Sequence, residues 1–136
     1  MGAFWALRPL LLGPRVARVA TADLAHVGHG YSTPEEIESL PRGKAALAAR
    51  LEEEIGAMLS CFAREDFRAT ENRARALRSD HANMVPLLAA IGGPRGQDVH
   101  LLSFRLSDYG PILGRPAPCV VATALVAYVP RPSPTA

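Results

Sequence analysis

Apolar side chains recur every three or four residues through the middle of this chain and gather into runs near its end. Leu47, Leu51, Ile55, Met58 and Phe62 follow one another at spacings of four, four, three and four. On a helix they form one stripe, with Arg50, Glu53 and Glu54 away from its centre. The pattern predicts a helix from Lys44 to Arg64 whose stripe holds the core or docks a partner helix. Thr33-Pro34-Glu35-Glu36 predicts a short helix over 34–40. Thr33 can cap it, Pro34 suits its first turn, and Glu36 can reach back to close a capping box.

A thinner stripe of Phe67, Ala74 and Leu77 predicts another helix from Glu65 to Ser79. Pro86 lacks an N–H and clashes with the preceding turn of a helix, so a one- to two-turn helix is expected to begin there. Gly92-Gly93-Pro94 would stop it.

Near the end the period changes to two. His100, Leu102, Phe104 and Leu106 lie on one face of an extended 99–106 segment. Cys119 to Val129 is apolar on both faces and rich in β-branched residues, as a sandwiched strand would be. Between these runs, Tyr109-Gly110-Pro111 and Gly114-Arg115-Pro116 make a stiff loop. The pattern predicts an α+β fold, mainly α, with two to three helices packed against a C-terminal β-hairpin. One domain over 32–129 suits the length of 136 residues, with a Pro-rich disordered tail over 130–136.

Residues 1–31 are basic and acid-poor. Arg8, Arg15 and Arg18 alternate with Trp5, Leu7 and Leu10, and the first acid is Asp23. Such a start resembles a mitochondrial transit peptide, with His29-Gly30-Tyr31-Ser32 as its cutting point. The competing expectation is an ordinary N-terminal helix. The setting expected is the mitochondrial matrix, with the cytoplasm as alternative. The longest apolar run has eleven residues, Cys119 to Val129, and a membrane-spanning helix needs about twenty, so no span is expected.

Composition adds little pull toward one partner. Net charge is +2, and Lys44 is the lone lysine among 15 basic residues. Locally, residues 35–66 hold eight acids and four bases, while 67–97 hold five bases and two acids, so packed helices would attract each other. Arg64, Arg68, Arg75 and Arg78 could share a helix face. Of these, Arg68, Arg75 and Arg78 are the candidate binding residues, for an acidic protein surface or, more weakly, for RNA, since no aromatic residues interleave to stack bases.

Catalytic motifs are not found. There is no Gly-x-Ser-x-Gly elbow, His-Glu-x-x-His pair or phosphate loop, and Gly92-Gly93-Pro94-Arg95-Gly96 lacks the strand and helix such a loop needs. His26 and His29 are three apart, but no cysteine or acid completes a zinc set, so no metal and no cofactor is expected. Cys61 and Cys119 read as buried free thiols. The leading expectation is a non-enzymatic small subunit or accessory protein of a larger assembly with protein partners. The alternatives are a small enzyme pairing His81 or His100 with Asp80 or Asp108, and a phage or viral structural protein whose hairpin pairs with neighbouring copies.

Overall fold

The computed structural model describes residues 2–11, 22–90 and 97–130. The Gly92–Gly96 loop, Arg15, Arg18 and the tail beyond Pro130 lie outside the described residues. The elements run α1 (Gly2–Leu11), β1 (Ala25–Gly28), α2 (Pro34–Glu38), α3 (Lys44–Ala63), α4 (Phe67–Ala76), α5 (His81–Ala90), β2 (Gln97–Asp108), α6 (Gly110–Leu113) and β3 (Cys119–Pro130). The fold is α+β and about half helical. Its sheet is antiparallel, three-stranded, in the order β1-β3-β2, and the C-terminal hairpin packs against the helices.

The local signals act as their chemistry requires. Glu36 N donates to Thr33 Oγ1 at 3.3 Å while Thr33 N donates to Glu36 Oε2 at 2.7 Å, closing the capping box of α2. Asp66 caps α4 by accepting from Ala69 N. The α3 stripe is entirely buried: Leu47, Leu51, Ile55 and Met58 meet Leu24, Ala25, Val27, Val120 and Ala122 of the sheet side. Phe62 is also buried and meets Phe67 and His81 edge-on, with centroids 5.9 and 5.5 Å away. The stripe therefore holds this chain's own core.

Three elements depart from the expected pattern. First, β1 lies inside the segment assigned to a leader, and Ala25 to Gly28 pair with Ala122 to Cys119 of β3. The folded unit thus takes in residues well before 32. Second, α5 runs from His81 through Pro86 to Ala90 rather than starting at the proline. Pro86 is on the exposed side, where water can serve the carbonyl that the missing N–H leaves unbonded. Third, β3 is sandwiched only at its start. Cys119, Val120, Val121 and Ala122 are buried, whereas Leu125 and Val129 are exposed.

Gly28 shows how tightly β1 meets the loop before β3. Its φ is +91°, and a Cβ there would stand 2.0 Å from the Pro118 carbonyl oxygen. The outer edge of β1 is closed by the turn after α4: His26 N donates to Leu77 O at 2.9 Å, and Asp80 N donates to Asp23 O at 3.0 Å. Arg78, at φ +52°, makes that turn in the left-handed region that non-glycine residues seldom adopt.

Candidate functional site

β2 and β3 are each twelve residues long, about 40 Å at the usual rise of a strand. The four residues of β1 cover only Cys119 to Ala122. From Thr123 onward β3 has no neighbour on that side among the described residues. Nor does any described strand pair with β2 along its outer edge. Such an edge is a row of backbone donors and acceptors facing outward.

Apolar side chains stand beside this edge. Leu102, Leu125 and Val129 are 60%, 61% and 46% exposed. Leu125 and Val129 are four apart on one strand and share a face. Leu102 occupies the register break between Leu101 and Ser103, next to Ser103, the partner of Leu125. The register of Phe104 with Ala124 and of Leu101 with Val126 turns those residues toward the helices, where they pack against the core. One face of the distal hairpin is therefore closed and the other is open. The sequence offers the hairpin as a pairing surface in one alternative, but not its exposed leucines, because an apolar residue facing solvent reads like one facing core.

The predicted arginine face does not assemble. Arg64 ends α3 as its C-cap, and Arg78 lies beyond the end of α4. Arg78 Nη2 donates to both carboxylate oxygens of Glu36, at 2.8 and 2.7 Å. That bond, followed by the Thr33 backbone N–H, holds the Glu36 carboxyl below the usual carboxylate range. Arg75 pairs with Glu71 at 2.6 Å within α4. Arg68 and Arg75 remain together on the exposed side of α4, as their spacing of seven requires.

The His/Asp pairs weighed for an enzyme are not brought together. His81 is buried against Phe62, and its Nε2 has no hydrogen-bond partner among the described residues. Burial pushes its pKa below the ordinary histidine value. Asp108 Oδ1 accepts from Gly110 N at 2.9 Å and Cys119 N at 3.1 Å, so it braces the hairpin loop. His100 lies eight residues back along β2, about 26 Å away at the usual strand rise.

A cleft of 750 Å³ opens between the α2–α3 link and the start of the sheet. Leu47, Leu106 and Val120 line it, with Glu38, Arg42, Lys44 and Asp108 at its polar positions. No histidine, cysteine or hydroxyl group is among its lining residues. Cys61 and Cys119 are both buried and free. A separate group of metal-ligating side chains, Asp23, His26 and Asp80, gathers at the closed edge of β1.

No helix among the described residues is long and apolar enough to cross a membrane. Comparison with family models, curated proteins and solved structures finds no match.

Proposed function

We propose that this chain is a non-enzymatic small subunit of a larger assembly, joined to a partner protein through the open end of its β2–β3 hairpin. The observation that carries the reading is a coincidence: no described strand pairs along the outer edge of β2, and Leu102 and Leu125 beside it are exposed. Unpaired backbone groups call for another strand. The adjacent leucines call for apolar side chains on it. The occupant is therefore an extended segment of the partner, added beside β2. The buried α3 stripe has no part in this contact. Arg68 and Arg75 form a second, weaker surface, because Arg75 is already paired with Glu71.

A photo-crosslinking residue placed at Leu102, and separately at Arg68, tests the reading in the native cell. The expected result is one defined adduct from position 102, abolished by L125D, with thermal unfolding unchanged. An adduct from position 68 alone would move the interface to the arginine surface and overturn the hairpin reading. An adduct with a second copy of the chain would replace the partner by self-pairing.

For its setting we propose the mitochondrial matrix, with the cytoplasm as alternative, on the strength of the arginine-bearing start. A cut that leaves the sheet whole must fall before Leu24, since Leu24 and Ala25 are core residues. Mass measurement of the native protein should find a first residue after Met1 and before Leu24. An intact Met1, or a start near Ser32, would sink that version.

A further inference from the structure

Asp23 and His26 flank the start of β1, and Asp80 stands at the head of α5, far away in sequence. Their ligand atoms all lie within 4.8 Å of one another. The approach is built by backbone bonds. Asp23 O accepts from Asp80 N at 3.0 Å and from Ser79 Oγ at 2.9 Å. His26 N donates to Leu77 O. These bonds lock the edge of β1 to the 77–80 turn and bring the three side chains to one spot.

The histidine is oriented as well as near. Its Nδ1 lies 2.6 Å from the Arg78 carbonyl. A carbonyl only accepts, so Nδ1 carries a proton, and Nε2 is the ring nitrogen left to meet a ligand. Nε2 lies 3.5 Å from Asp23 Oδ2. Histidine ligands are commonly fixed in this way, by donation from the other nitrogen to a backbone carbonyl. The ring is further held by Tyr31, whose centroid is 4.9 Å away.

Charge in the group is one-sided. It combines two carboxylates with one imidazole. The nearby Arg78 directs its guanidinium to Glu36 instead, and Asp80 makes no ion pair among the described residues. Zinc bonds nitrogen at about 2.0 Å and carboxylate oxygen at about 2.0–2.2 Å, which separates two ligands of a tetrahedron by about 3.4 Å. The 3.5 Å between Nε2 and Oδ2 already matches, and a carboxylate oxygen of Asp80 lies within 4.8 Å of both.

We propose that Asp23, His26 and Asp80 bind one zinc ion, with water in the fourth position. The imidazole selects zinc over calcium and magnesium, which take oxygen ligands. His29 is not a member of the group. The true companions of His26 are an acid three residues earlier and one brought in by the fold. A bound ion would bridge β1 to the α4–α5 turn and so fasten the edge of the sheet.

The test is calorimetric titration of the full chain, freed of metal by chelation, with zinc chloride. Magnesium and calcium chlorides serve as comparisons, and thermal unfolding is measured with and without each ion. The expected result is one zinc per chain, a rise in Tm, and no response to magnesium or calcium. D23N and D80N keep every backbone bond and should each lower zinc affinity at least tenfold with unchanged circular dichroism. H26Q should abolish binding; if it unfolds, the two Asp→Asn variants decide alone. H29Q and H100Q should bind as the unaltered chain does. Binding far below one ion per chain, or equal affinity in D23N and D80N, would overturn the site and leave an ordinary Asp–His ion pair.

Discussion

The two ends of the β2–β3 hairpin share one ladder yet face different surroundings. At its closed end, Val120 to Ala122 lie between β1 and β2 and are buried. At its open end, Leu125 and Val129 face outward. The cause is length. Two strands of about 40 Å outreach a four-residue β1, which covers about 13 Å. Similar apolar residues therefore stabilise the fold at one end and stand free at the other. Burial, not residue type, decides what each contributes.

The comparison is broken most directly at its closed end. G28A should cost more than about 3 kcal/mol, because it adds a left-handed alanine to a clash with backbone. Urea unfolding measures this, and a cost below about 1 kcal/mol would mean that β1 does not sit against Pro118 as described. I55A, in the fully buried stripe, should cost about 2–5 kcal/mol. L125A should cost no more than about 0.5 kcal/mol, as surface changes do. Equal costs for I55A and L125A would erase the distinction between the two ends.

His81 sharpens it by a smaller amount. Its orphaned Nε2 carries a desolvation cost of about 1–3 kcal/mol, so H81F should leave stability equal or higher. The sign with pH follows from burial, which lowers the folded-state pKa. The unfolded chain then binds the proton more readily. Stability is full above the ordinary histidine value and falls as pH drops through it. With chelator present, H81F should lose that part of the pH dependence, and an unchanged melting profile from pH 7 to pH 5 would argue against a buried neutral ring.

A modest effect is expected at Glu36. Its carboxyl is held low by Arg78 and the Thr33 N–H. Its contribution is present above the ordinary carboxylate range and lost as pH falls below it. T33A should remove half of the capping box for about 1 kcal/mol, visible as a lower urea midpoint.

Much of the architecture was legible because it is local. The 3.6-residue stripe from Leu47 to Phe62, the Thr33–Glu36 box and the switch to period two at Val99 each report contacts within a few residues. β1 was not legible. Ala25-His26-Val27-Gly28 is too short to show a period, and it follows an arginine-bearing start that resembles a leader. Its partner strand lies almost a hundred residues away. The candidate sites share that difficulty. Asp23 is visible beside His26, but Asp80 joins them only through the turn after α4. The arginine series failed for the same reason: helical spacing was extended past Ala76, where the helix ends.

By itself, then, the sequence determined where helices start, which of their faces are apolar, and that a hairpin follows, since those depend on neighbours along the chain. The tertiary structure alone decided that β1 belongs to the sheet, that the leucines at 102 and 125 stay uncovered, and that two aspartates meet one histidine. Those outcomes depend on how far each element reaches once packed, and spacing along a chain does not measure distance between packed elements.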